Sequence, residues 1–213
     1  MDINQEKIIN LRMGRTAEAL RKNGFYAVCC RDCKEALAEI EQLIPNGAEV
    51  TVGGSASLMQ SGVLDLLRSG RYTFYDRFTP GLSREEIEAI FRKAFLCDTY
   101  LASANAVTED GKIYNVDGNG NRIAAIAFGP KSVILLVGYN KIVENAERAR
   151  ERVKSTAAPT NAERLHCETP CTVVGKCMDC RSPQRICAVE TLTTFCKPKE
   201  RIKVILVGEE LGY

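Results

Sequence analysis

The sequence lacks any apolar run of membrane-spanning length, and it has no marked excess of charge of either sign. Its longest strongly apolar run is Val133–Val137, whereas a transmembrane helix needs roughly 20 apolar residues. Lysine and arginine number 29 and aspartate and glutamate 27, so the net charge is +2 and no basic surface for nucleic acid is expected. Residues 1–6 also lack the apolar core of a signal peptide. We therefore expect a cytoplasmic protein without membrane or nucleic-acid partners.

The chain has very little histidine, and this limits the catalytic mechanisms that it can use. His166 is the single histidine of the chain, so a Cys/His or Ser/His nucleophilic pair is not expected. The chain also lacks the Gly-Lys-Ser/Thr end of a Walker A loop, the Gly-x-Gly-x-x-Gly dinucleotide fingerprint and any internal repeat. With 45% hydrophobic and 26% charged residues, the composition is typical of an ordinary globular protein.

Helical and strand patterns alternate over residues 1–150, which is typical of an α/β layered fold with a mainly parallel sheet. The apolar strands Glu49–Val52 and Val133–Val137 are expected to be central. We expect a single domain over residues 1–213, which includes a small cysteine-rich segment at 166–187. Other expected elements are a helix at 3–22, strands at 100–108 and 112–116 that form a hairpin, a helix at 142–154 broken at 157–160, and strands at 189–195 and 202–207.

Three loops lie where predicted strands end and helices begin, which is where ligands collect in α/β sheets. Glycines there let backbone N–H groups approach an anion, and amide, guanidinium and ammonium groups would bind it. Each loop also has an ordinary interpretation as a turn or, at Ser55, as a helix cap. The residues expected to line an anion-binding crevice are Gly53, Gly54, Ser55, Asn119, Gly120, Asn121, Arg122 and Lys141.

Half of the ten cysteines fall within residues 166–187. Thiolates at such close spacing can converge on one soft metal ion or on an iron–sulfur cluster. Zinc would accept four thiolates, or three thiolates with His166, so zinc and iron–sulfur both stay open, and free cytosolic thiols are the structural alternative. The expected metal ligands are four of Cys167, Cys171, Cys177, Cys180 and Cys187.

Several stretches together identify a family resemblance. They are Val52–Ser55, Ala102–Thr108 with its continuation Asp117–Arg122, Val137–Val143, and the cysteine-rich segment 166–187. In these stretches the sequence resembles the LUD-domain proteins, which are named for lactate utilisation, and the cysteine-rich segment is similar to the tail of a short stand-alone branch. The resemblance covers nearly the whole chain. It implies a sheet-centred fold similar to the ribose-phosphate isomerase and CoA-transferase group.

The resemblance also implies a role in lactate or related organic-acid utilisation, with a bound anionic small molecule, an iron–sulfur cluster and an iron–sulfur redox partner protein. Related sugar-phosphate isomerases place an acidic residue near the position of Asn105, which makes Asn105 a catalytic candidate although it is an amide. CoA transferases of this fold use a glutamate nucleophile, for which Glu109 is a loose candidate. The alternatives are an isomerase or transferase acting on a phosphorylated or CoA-linked substrate with structural zinc, and a non-enzymatic metabolite or redox sensor. The sequence leaves catalysis and homo-oligomer formation open.

Overall fold

The computed structural model describes residues 2–213. The helices are α1 (Ile3–Lys22), α2 (Cys33–Leu43), α3 (Ala56–Gln60), α4 (Val63–Leu67), α5 (Arg84–Lys93), α6 (Asn121–Phe128), α7 (Ala146–Arg152), α8 (Ala158–Arg164) and α9 (Pro170–Val174). The strands are β1 (Tyr26–Cys30), β2 (Glu49–Val52), β3 (Thr73–Tyr75), β4 (Thr99–Ala102), β5 (Ala106–Thr108), β6 (Ile113–Asp117), β7 (Ser132–Gly138), β8 (Ile142–Val143), β9 (Val189–Thr193) and β10 (Ile202–Val207). Within residues 2–213, no helix combines the length and apolar character needed to cross a membrane.

The central sheet contains six parallel strands in the order β1-β10-β7-β4-β2-β3. Strands β7 and β10 are largely apolar, with buried runs at Val133–Val137 and Val204–Val207, because both faces of the sheet are covered. They pair in register from Val133 opposite Ile202 to Gly138 opposite Val207. The predicted α/β fold with a mainly parallel sheet is confirmed. Strand β7 is central as expected, whereas β2 lies one strand from the sheet edge.

The core lies on both sides of the central sheet, because successive side chains of a strand point to opposite faces. Leu135 of β7 faces a fully buried layer that contains Leu20 of α1 and Ile126 of α6. Its neighbour Ile134 faces a second layer that contains Ile40 of α2. Burial of each such side chain stabilises the fold by about 1.5–3 kcal/mol. This two-sided packing fixes the carboxyl ends of the central strands.

A second sheet has four strands in the order β8-β5-β6-β9. Strands β5 and β6 pair in antiparallel fashion, which confirms the predicted hairpin. The single strand expected at 100–108 is wrong, because β4 and β5 belong to different sheets. Between them the chain turns, and guanidinium groups hold two of its carbonyls: Arg122 donates to Ser103 at 2.8 Å and Arg152 to Asn105 at 2.7 Å.

The helix predicted at 142–154 is wrong at its start. Ile142 and Val143 form β8, which pairs with β5, and α7 begins only after Asn145, whose side chain accepts from the backbone N–H of Arg148. Residues 157–160 also do not break the helix. A π-helical turn leads into α8, and Pro159 lies in the first turn of α8, where its missing N–H is best tolerated.

Candidate functional site

A cavity of about 390 Å³ lies at the carboxyl ends of β2 and β4, beside the second sheet. Its lining includes most of the residues expected to form a crevice and one of the two weak catalytic candidates. These are Gly54, Ser55, Asn119, Asn121, Arg122, Lys141 and Asn105. Gly53, Gly120 and Glu109 are not in the lining. The structure thus brings together loops that are far apart in the sequence.

The turn after β2 shapes one wall of the cavity. Ser55 caps α3 by accepting from the backbone N–H of Leu58 at 3.3 Å, which is the ordinary capping role. A Cβ atom on Gly53 would lie 2.6 Å from the hydroxyl of Tyr100, so glycine is needed there for packing. A Cβ atom on Gly54 would lie 3.4 Å from the guanidinium of Arg77. Gly54 therefore keeps the space in front of this guanidinium open.

Arg122 lines the cavity, but the protein itself uses its hydrogen-bonding capacity. Its Nε donates to Asp117 at 2.9 Å, and its terminal nitrogens donate to the side-chain oxygens of Asn105 and Asn115 and to two backbone carbonyls. These bonds occupy all five N–H donors of a guanidinium. Arg122 therefore positions the loops around the cavity and has no donor left for a ligand.

The loop before α6 contributes polar side chains to the cavity. Gly120 has a left-handed φ of +75° at the start of α6, while Asn119 and Asn121 face the cavity. Asp117 is the one carboxylate in the lining, and it accepts from the backbone N–H of Ile123 at 2.8 Å and pairs with Arg122. The charge of Asp117 is thus neutralised within the protein.

Lys141 is the most deeply buried cation of the cavity, with an exposed fraction of 3%. Its Nζ donates to the hydroxyls of Ser57 at 2.8 Å and Ser103 at 3.1 Å. No carboxylate in residues 2–213 forms an ion pair with it. Burial, with the nearby charges of Arg152 and Arg122, lowers the pKa of Lys141 to about 7.

Sequence reasoning missed Arg77, which follows β3 and reaches the cavity from the side of α5. Its guanidinium stacks on Phe91, 4.5 Å from the ring centroid, and lies 5.3 Å from the centroid of Phe78. Its Nε is buried without a hydrogen-bond partner, and burial lowers the pKa of Arg77. Contacts between Arg77 and Phe91 arise only in the folded chain, so no local pattern could have predicted them.

Other cationic and polar groups complete the lining, namely Arg164, Arg185 and the Tyr213 hydroxyl, which is buried without a hydrogen-bond partner. The lining therefore contains more basic side chains than carboxylates. Its one carboxylate, Asp117, is already paired with Arg122. In a partly enclosed space this balance favours an anionic ligand.

The two catalytic candidates lie in different places. Asn105 lines the cavity, but its side-chain oxygen accepts from Arg122 at 2.7 Å and from the Val116 N–H at 2.9 Å. Glu109 lies at the tip of the β5–β6 hairpin and pairs with Arg12 at 2.8 Å and Arg15 at 3.6 Å. The hairpin tip is outside the cavity lining, so the glutamate has no contact with the candidate site.

The cysteine-rich segment forms one wall of the cavity through Pro183, Gln184, Arg185 and Ile186. Lys154 pairs with Asp179 at 2.6 Å and holds the segment against the π-helical turn. Arg185 donates to the carbonyl of Cys180 at 2.7 Å and to the carbonyl of Cys187 at 2.8 Å. The cysteine-rich segment and the cavity are thus one continuous structure.

The five thiols of this segment are half-buried, and none is in a disulfide. Within residues 2–213 no three side chains of His, Cys, Asp or Glu are grouped as a metal site. Burial raises the pKa of the Cys167 thiol. The donor chemistry of these thiols suits zinc or an iron–sulfur cluster.

The fold and the cavity define an α/β protein whose parallel sheet carries a cation-lined pocket at the carboxyl ends of its strands. The family model of the LUD domain matches residues 13–207. The chain therefore belongs to the LUD domain family, which is associated with lactate utilisation.

Among solved structures, a DUF162 family protein from Deinococcus radiodurans is similar to this chain. The two are 16% identical with a TM-score of 0.56, and the match covers 94% of this chain and 98% of that one. This likeness supports the fold. The beta subunit of eIF2B from Chaetomium thermophilum is 15% identical with a TM-score of 0.38, and the match covers 55% of this chain and 41% of that one. The delta subunit from the same organism is also 15% identical with a TM-score of 0.35, and the match covers 67% of this chain and 54% of that one. No curated protein matches the sequence.

Proposed function

We propose that the protein binds a small organic anion in this cavity and takes part in lactate or related organic-acid utilisation. The observation that supports this proposal is the set of guanidinium groups without carboxylate partners, above all Arg77, whose Nε is buried without a hydrogen-bond partner. Buried cations are costly unless an anion compensates them. A bound carboxylate would supply that compensation.

The size and chemistry of the cavity agree with a small ligand. Its volume of about 390 Å³ is at the lower end of the roughly 300–1,000 Å³ of small-molecule sites. The side-chain amides of Asn119 and Asn121 and the Tyr213 hydroxyl can hydrogen-bond a hydroxyl or carbonyl group next to the anionic group. A short hydroxy or oxo acid has this combination of groups.

Arg77→Met is expected to weaken anion binding by about 10- to 100-fold, since a hydrogen bond to a charged group contributes about 1.5–3 kcal/mol. Gly54→Val should weaken it as well, because its side chain would fill the space in front of the Arg77 guanidinium. Calorimetric titration with L-lactate, pyruvate and inorganic phosphate measures the affinity. The control is Arg84→Met, an exposed arginine at the start of α5, which should leave the affinity unchanged. If Arg77→Met and Gly54→Val bind every probe as tightly as the Arg84→Met control and the unaltered protein do, the proposal is disproved.

The metal centre is a separate proposal, with an iron–sulfur cluster first and zinc as its alternative. Its support is the chemistry and close spacing of Cys167, Cys171, Cys177, Cys180 and Cys187, all of them free thiols. An iron–sulfur redox partner protein would be its functional counterpart. The anion-binding proposal does not depend on a metal.

The Cys177→Ser/Cys180→Ser double variant is expected to lose a bound iron–sulfur cluster completely, because three thiolates remain where such a cluster uses four. Zinc held by the three remaining thiolates and His166 would be retained. Protein purified without oxygen is analysed for iron, acid-labile sulfide and zinc per chain, together with its visible absorption. The control is Cys29→Ser, an exposed cysteine on β1, which should keep the metal content of the unaltered protein. A metal-free unaltered protein, also after reconstitution, would refute this proposal.

A further inference from the structure

Two hydroxyl groups hold the nitrogen of Lys141 in an arrangement that matches its neutral amine form. The hydroxyl of Ser57 donates its own proton to the carbonyl of Leu211 at 3.1 Å, and the hydroxyl of Ser103 donates to the carbonyl of Ala104 at 3.4 Å. Both hydroxyl oxygens therefore accept from the lysine nitrogen. A neutral amine has two N–H groups, and these two bonds use both of them.

The charged form of Lys141 is poorly accommodated at the same place. An ammonium has a third N–H, and no third acceptor lies within hydrogen-bonding distance of Nζ among residues 2–213. The charged groups that face it, Arg122 and Arg152, are both cations, and the carboxylate of Asp117 is taken by Arg122. The neutral amine with a free lone pair is thus the form that the surroundings favour.

We propose that Lys141 is a nucleophile that forms an imine with the carbonyl group of an aldehyde or ketone bearing a carboxylate or phosphate. The nitrogen lone pair forms the C–N bond, the π pair of the carbonyl moves to oxygen, and a proton passes from nitrogen to that oxygen. Loss of water then gives the C=N bond, so no oxidant or reductant is needed. The guanidinium of Arg77 would bind the anionic group of the ligand. This inference rests on the proposed anion-binding function.

Borohydride reduction tests the imine, because it converts the C=N bond to a stable secondary amine. The protein is incubated with pyruvate, dihydroxyacetone phosphate or acetone, reduced, digested and mapped by mass spectrometry. We expect one adduct, on Lys141, from at least one of the two anionic ketones and none from acetone at equal concentration. Which anionic ketone reacts distinguishes carboxylate from phosphate. Equal labelling by acetone would overturn the role of the anionic group.

The pH dependence of trapping gives a second readout. Because the pKa of Lys141 is lowered to about 7, its neutral fraction rises from about pH 6 and is nearly complete by about pH 8. An ordinary surface lysine, with a pKa near 10.4, becomes neutral only at much higher pH. If the labelling of Lys141 rises over the same pH range as the labelling of surface lysines, the proposal is contradicted.

Two variants test whether Lys141 is the lysine that forms the adduct. Lys141→Met should abolish the adduct, and Lys131→Arg, at an exposed lysine before β7, should leave it unchanged. Peptide mapping of the unaltered protein identifies the labelled lysine even where Lys141→Met fails to fold. Pyruvate or dihydroxyacetone phosphate that binds in the calorimeter without labelling Lys141 would overturn the imine but keep the anion site. Failure of every anion to bind would overturn both.

Discussion

Arg122→Leu is expected to lower the free energy of unfolding by about 3–5 kcal/mol, the cost of removing one partner from a buried charged pair. The side chains of Arg122 and Asp117 are 13% and 8% exposed. Without the guanidinium, Asp117 keeps an uncompensated charge, and the side-chain oxygens of Asn105 and Asn115 lose a donor. Two sheets and the start of α6 meet at this group, so its loss affects the whole cavity region.

Equilibrium urea unfolding followed by circular dichroism measures this loss. The control is Arg164→Leu, which removes an exposed arginine of the same cavity whose hydrogen bonds go only to Asn161. It should change stability by no more than about 0.5 kcal/mol. A loss below about 1 kcal/mol for Arg122→Leu, which is typical of surface pairs, would show that the network does not hold the fold together.

Gly111→Ala is expected to destabilise the fold by about 2–5 kcal/mol through backbone strain and overpacking. Gly111 lies at the tip of the β5–β6 hairpin with a φ of +80°. A Cβ atom there would lie 2.6 Å from the carbonyl oxygen of Ala19 and 2.6 Å from the backbone nitrogen of Leu20. The side chain of Asn23 also donates to the Gly111 carbonyl at 2.8 Å. The hairpin tip is therefore packed directly on the end of α1.

The matched control is Gly70→Ala. Gly70 has a φ of +84° and no atom within 4 Å of the Cβ position, so the alanine adds the same backbone strain without a clash. Thermal and urea unfolding of both variants give the difference, expected to be about 1–3 kcal/mol. Equal losses would mean that the hairpin does not pack against α1.

The elements that the sequence predicts well are those decided by local apolar spacing. The helix expected at 3–22 and the strand expected at 202–207 match α1 and β10. The errors lie where distant residues decide the conformation. Ile142 and Val143 form a strand because β5 offers them a partner. The turn at 103–105 depends on arginines from α6 and α7.

The position of the candidate site could be predicted from the sequence. Which side chains there keep hydrogen-bond donors available for a ligand could not. The rule that ligands collect at the carboxyl ends of strands placed Gly54 and Lys141 on the cavity. The same rule assigned ligand binding to Arg122, whose donors are instead consumed by groups from the β5–β6 hairpin. Arg77 was not identified, because its orientation depends on stacking with Phe91 of α5.

The place of β10 in the sheet has a consequence for synthesis of the chain. Strand β1 pairs only with β10 within the described residues, and β10 also separates β1 from β7. While the ribosome is still adding residues before 202–207, β1 has no strand to pair with and one edge of β7 is open. Open strand edges on a growing chain invite intermolecular pairing and chaperone capture. The central sheet is therefore completed only after β10 has been translated.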